Sequence, residues 1–162
     1  MKNKTFVLMI SKAFPVKHIK AGQPTEFREK ILAGEKIHTI RANVKLWEKR
    51  AEMINRGEAV LSLRQWEGKP YRSKQVEIMR LERIGVQRTI IVNHGNFIHV
   101  RVFSSPSESL HNDCIDYPDG GKSDQGLLET LRKNDGLSIK DFQSWFPKKI
   151  DGCIIHFTNF RY

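Results

Sequence analysis

Four polar side chains fall within six consecutive positions of this chain: Lys36, His38, Thr39 and Arg41, in the run Lys36-Ile-His-Thr-Ile-Arg41. A lysine projecting into a cleft neutralises a phosphate or, once desolvated enough to lower its pKa, works as a base. Arg41 cannot be a base, and its planar guanidinium suits bidentate capture of a phosphate or a base edge. Thr39 is a poor nucleophile until a base takes its proton, and Lys36, three residues earlier, is the nearest candidate. His38 could hydrogen-bond a nucleobase or carry protons near neutrality. The competing structural account makes them a surface lysine, two strand residues and an arginine paired with a carboxylate.

These residues need a helix, a stop and a strand to hold them. Pro24-Thr25 can open a helix whose apolar positions Phe27, Ile31 and Leu32 face a core, and Gly34 supplies the positive φ that ends it. The alternation over 36–41 then follows the period of a strand. Ile37 and Ile40 cannot share one face at period two, so a bulge or a strand end is expected near His38 and Thr39.

The rest of the chain supplies a mixed set of elements. Strands are expected at 6–10 and 58–64, with a helix over 44–55 whose apolar stripe is Val44, Trp47, Ala51 and Ile54. Residues 65–70 form a hairpin turn into a long, bent strand over 71–85, and strands 89–92 and 97–103 flank a turn at 93–96. Residues 104–126 are rich in Ser, Asp, Asn, Gly and Pro and read as a loop or lid, a length of chain that would also suit a protein partner. Leu127, Leu128 and Leu131 define a short helix. Ser138-Ile-Lys-Asp141 is a capping sequence for a helix over 139–146 that Pro147 ends, and 152–158 is a closing strand. Mostly antiparallel strands with helices inserted early and late make an α+β domain spanning 1–162.

Charge is uneven. Residues 1–90 hold 20 Lys and Arg against 9 Glu, a net of +11, whereas residues 91–162 hold 8 Lys and Arg against 9 Asp and Glu, a net of −1. A half this basic attracts phosphate backbones, less so as salt rises, although charge runs are often only a solvated face. Trp66, at the expected hairpin tip beside Lys69, Tyr71 and Arg72, suits base stacking among cations, or else packs under the tip. Trp47 falls on a helix stripe, and Trp145 groups with Phe142 and Phe146 as core.

Cys114 and Cys153 are far apart with no neighbouring metal-ligand pattern, which favours reduced thiols and a cytoplasmic location. His94, His99, His111 and His156 form no pair at metal-ligand spacing, so neither a metal nor a cofactor is expected. The apolar run at the start is short and lacks a cleavage site, and nothing approaches the roughly 20 apolar residues of a membrane helix.

The helix ending in Gly34 followed by Lys36, Thr39 and Arg41 resembles the signature of the ASCH family of PUA-like proteins. The resemblance extends to residues 14–27, which include His18, to 57–63 and to 134–142. It implies a small, mostly antiparallel PUA-like β-barrel with flanking helices. It also implies a cleft for RNA or a nucleoside, lined here by Lys36, Thr39 and Arg41, with His18 and His38 close by. One branch of the family consists of amidohydrolases that deacylate N4-acetylcytidine with a Lys, a Thr and a Glu. The first two carry over onto Lys36 and Thr39, while the Glu position falls on Asp135. That acid is one methylene shorter, a departure that bears directly on reach. Asn134-Asp135-Gly136 also has a plain reading as a turn that caps the next helix. RNA or nucleoside binding through the basic cleft is the leading expectation, and amide hydrolysis with Lys36, Thr39 and Asp135 is the alternative.

Overall fold

The structure, a computed structural model, describes residues 4–103 and 125–162. The loop expected at 104–126 lies outside the described residues, except for Gln125 and Gly126, which already belong to a helix. In chain order the elements are β1 (Lys4–Met9), α1 (Phe27–Leu32), β2 (His38–Arg41), α2 (Val44–Asn55), β3 (Ala59–Trp66) and β4 (Gln75–Leu81). They continue with β5 (Gly85–Asn93), β6 (Ile98–Val102), α3 (Gln125–Asn134), α4 (Ile139–Trp145) and β7 (Ile150–His156). The class is α+β, as the mixed periodicities imply.

The strands form two sheets, ordered β1-β3-β4 and β2-β7-β5-β6. β1 and β3 are parallel, joined by a crossover that contains α1, β2 and α2; every other ladder is antiparallel. Among the described residues the ladders of the two sheets are separate and do not close on each other. Residues 71–85, expected as one bent strand, divide between the sheets at Glu82–Ile84. The physical reason is Asn55: its Nδ2 donates to the Ile84 carbonyl at 2.9 Å and its Oδ1 accepts from Ile84 N at 3.0 Å, so a side-chain amide replaces the ladder partner there. The core between the layers holds Leu61, Leu63, Ile91, Leu131, Phe142, Ile154 and Ile155, all fully buried. Trp47 belongs to it, as the helix stripe requires.

Two helix ends aim the chain at the site. α1 stops at Gly34 (φ +75°), where Gly34 N donates to the Ile31 carbonyl and Glu35 N to the Lys30 carbonyl. α3 stops in the same way at Gly136 (φ +75°), where Gly136 N donates to the Lys133 carbonyl and Leu137 N to the Arg132 carbonyl. Both are Schellman motifs, which need a left-handed residue where Gly alone has no Cβ penalty. They face one another: Lys30 Nζ donates to Gly136 O at 2.8 Å and Ile37 N to Asn134 O at 2.9 Å.

β2 begins at His38, the strand end expected there, and runs against β7 in regular register with no bulge. Its approach is close, because a Cβ on Gly152 would stand 2.5 Å from the Arg41 carbonyl oxygen. Gly152→Ala must therefore push β2 off β7. We expect a loss of about 1–3 kcal/mol of stability in urea unfolding, accompanied by displaced amide resonances at residues 39–42.

Candidate functional site

Lys36 emerges directly after the α1 stop, and Asp135 is the last residue before the Gly136 stop of α3. Lys36 Nζ lies 2.5 Å from Asp135 Oδ1 and donates to the Asp135 backbone carbonyl at 2.8 Å. The ammonium also sits over the Phe27 ring, 4.2 Å from its centre, a cation–π contact. Lys36 is 2% and Asp135 4% exposed, so this is a buried ion pair. The Asn-Asp-Gly turn and the carboxylate that approaches Lys36 are one feature.

Burial dominates the titration of the pair. It lowers the Lys36 ammonium from its ordinary value, with Arg41 and Lys30 assisting and Asp135 opposing. It raises the Asp135 carboxyl, with Lys36 and Arg41 opposing. Asp135 also stands at the C-terminal end of α3, where the helix dipole disfavours an anion. Burial thus makes the Lys36 ammonium easier to deprotonate and the Asp135 carboxylate easier to protonate, which favours a neutral amine beside a neutral carboxyl.

Thr39 and Arg41 share one face of β2. Arg41 donates to Thr39 Oγ1 at 2.8 Å, to the Ile40 carbonyl at 2.9 Å and, across to β1, to the Met9 carbonyl at 2.8 Å. Burial works against its charge, yet a guanidinium stays protonated in proteins. Lys36, Asp135 and Arg41 therefore sum to one positive charge wherever the proton of the first two resides. With Thr39 they line a hollow of about 10 Å³, walled by Ile10, Phe27 and Trp145. That volume takes one water-sized group, not the whole nucleobase that an open cleft would accept.

His38 faces away from the hollow, into the layer behind it. Its Nε2 lies 2.8 Å from the Tyr162 hydroxyl, which also accepts from Asn134 Nδ2 at 3.1 Å. Among the described residues its Nδ1 makes no hydrogen bond within 3.5 Å, and Asp135 Oδ1 lies 3.6 Å from it. Burial and the Lys36 charge hold His38 well below the ordinary imidazole range, so it is neutral near pH 7.

The other expected site residues lie elsewhere. His18 uses both ring nitrogens, Nδ1 accepting from Lys20 N and Nε2 donating to the Asp141 carbonyl, each at 3.0 Å. It stacks on Phe14 and ties the 14–20 loop to α4 without lining the hollow. Trp66 and Arg72 stand at the β3–β4 turn, where Trp66 packs against the largely exposed Tyr71 at 5.2 Å. They form a surface separate from the hollow. Phe27, Trp145 and Tyr162 are participants that residue type and spacing do not single out; Trp145, expected as core, is half-buried on the wall of the hollow. The place of Phe27 as the first residue of the helix whose stop presents Lys36 is the one available signal.

Breaking the pair leaves a buried charge, and we expect Lys36→Met or Asp135→Leu alone to cost about 3–5 kcal/mol. The double variant Lys36→Met/Asp135→Leu recovers most of that loss in the same denaturation assay. The buried histidines make a second prediction. His156 is lowered to about 3, by burial first and then by His38 and Arg161, and His38 is lowered too. Both protonate near pH 6.5 when unfolded. Stability should be complete above about pH 6.5 and fall as pH drops toward 3, by roughly 1.4 kcal/mol per pH unit for each proton taken up on unfolding. A pH-independent unfolding free energy across that window would contradict neutral burial of these rings. No protein-family model, curated protein or solved structure matches this chain.

Proposed function

We propose that the protein recognises RNA or a modified nucleoside, with Lys36, Thr39 and Arg41 as the recognition site. The observation that carries this reading is the buried cluster with a net positive charge at a hollow that admits one small group. A substituent of a base, or one phosphate oxygen, would enter the hollow while the ring lies across its mouth against the half-buried Trp145. The basic excess of residues 1–90 would hold the phosphate backbone, and Trp66 with Arg72 offers a second contact on the β3–β4 turn. A PUA-like ASCH domain in a reducing cytosol is the family and setting that go with this reading, supported by the order helix, Gly34, Lys36, Thr39, Arg41. In that reading the two sheets are the halves of the family's barrel.

The 2.5 Å contact between Lys36 and Asp135 favours a second reading, hydrolysis of an N4-acylated cytidine. One proton transfer within the pair turns ammonium and carboxylate into amine and carboxylic acid, a base and an acid side by side. The Lys36 amine would take the proton of a water as its oxygen adds to the acyl carbon, or first that of Thr39 and then that of a water which cleaves the resulting Thr39 ester. Asp135 would protonate the departing exocyclic amine, and Arg41 would stabilise the oxyanion between these steps.

Binding and turnover are measured separately. With folding of each variant checked by circular dichroism, Arg41→Ala should weaken binding of a fluorescent RNA roughly tenfold to a hundredfold at low salt, the worth of a charged hydrogen bond. Unchanged affinity removes the hollow as the binding site. Incubation with N4-acetylcytidine, followed by chromatography, should release cytidine with the native protein and none with Lys36→Ala. Absence of cytidine in both ends the hydrolase reading for this substrate.

A further inference from the structure

The back of the site contains a chain of polar groups that neither reading above uses. Tyr162 holds its position through the backbone, its N donating to Gln87 Oε1 at 3.0 Å and its carbonyl accepting from Gln87 Nε2 at 3.2 Å. Its hydroxyl therefore sits at a set point against His38 Nε2. That hydroxyl already accepts from Asn134 Nδ2, an obligate donor, so its own proton is free to go to His38. An imidazole that accepts at Nε2 and is neutral carries its proton on Nδ1. Nδ1 is the buried nitrogen that makes no hydrogen bond within 3.5 Å among the described residues, and Asp135 Oδ1 lies 3.6 Å from it.

We propose that Tyr162 and His38 form a hydrogen-bond relay behind Asp135, in which the Tyr162 hydroxyl holds the His38 proton on Nδ1, directed at the Asp135 carboxylate. Both are positioning residues. The gap of 3.6 Å closes to a hydrogen bond when the carboxylate moves about 0.6 Å toward the ring. Asp135 then has two donors to choose between, the Lys36 ammonium in front and the His38 Nδ1–H behind. If Lys36 gives up its proton or is drawn toward a ligand, the donor behind keeps the carboxylate from standing unpaired in the interior. The Leu131 carbonyl is a further acceptor close to the His38 ring. Other groups that bear on this proton are Lys36 and Arg41, which favour the carboxylate, and His156, whose ring centre is 5.8 Å from that of His38 and whose Nε2 is bonded to Gln87. The relay gives the acid–base reading of Asp135 a means of control and takes that reading as its premise.

The test needs no substrate. Two-dimensional NMR of the full chain labelled with ¹⁵N-histidine reports which ring nitrogen carries the proton. We expect the Nδ1–H pattern for His38 at neutral pH, and a mixture of tautomers in Tyr162→Phe, where the hydroxyl is gone and the ring remains. The ¹³C resonance of the Asp135 carboxyl should titrate at higher pH in Tyr162→Phe and in His38→Phe than in the native protein. An Nε2–H tautomer in the native protein overturns the relay without any variant. So does an Asp135 titration that is the same in all three proteins. An intact relay in a protein that neither binds nucleosides nor releases cytidine would instead refute the functional reading alone.

Discussion

The pairing of Lys36 with Asp135 is the interaction on which the site and its surroundings depend. It joins the end of α1 to the end of α3 across 99 residues of chain. Each partner is presented by a helix terminus that a left-handed glycine closes. Two buried charges are tolerated only with excellent geometry and further hydrogen bonds, and the chain provides both: a second acceptor for the ammonium at the Asp135 carbonyl, and the Phe27 ring beneath it. Remove either charge and the other is left buried without its counter-ion. As a stability device the arrangement is inefficient, since well-packed apolar residues would serve as well.

The electrostatic balance sets what kind of ligand fits. Arg41 leaves the cluster one charge positive, while the hollow is too small for more than a single protruding group. Charge and size together select an anionic oxygen, or a group that becomes one during reaction, over a neutral planar ring inserted whole. Specificity for anything larger must come from the rim, where Trp145 is the accessible aromatic.

The Lys36, Thr39 and Arg41 cluster is legible in the sequence because it is local: a helix stop and a short strand, both readable from six to ten residues, deliver those side chains. Asp135 is reachable through its turn chemistry, but the turn closes α3 instead of capping the next helix, whose N-cap is Ser138, and Asp135 is at the same time the charged partner of Lys36. Tyr162 is not reachable, because its contact with His38 spans 124 residues and leaves no periodic trace. His18 lies away from the hollow for a related reason: its position in the chain is close to the motif, but the loop turns it toward α4. The run 71–85 contains the extended chain of β4 over 75–81, but its first residues are turn and its last, Gly85, already opens a strand of the other sheet, because period two reports burial and not the partner strand. The same limitation applies to a closed barrel, which depends on which edges pair.

Arg41 has one further property. Its bond to the Met9 carbonyl is a tie between β2 and β1, which belong to separate sheets. A ligand that recruits this guanidinium would loosen a stitch in the seam between the two layers, so occupancy of the hollow and the relative motion of the layers are mechanically linked.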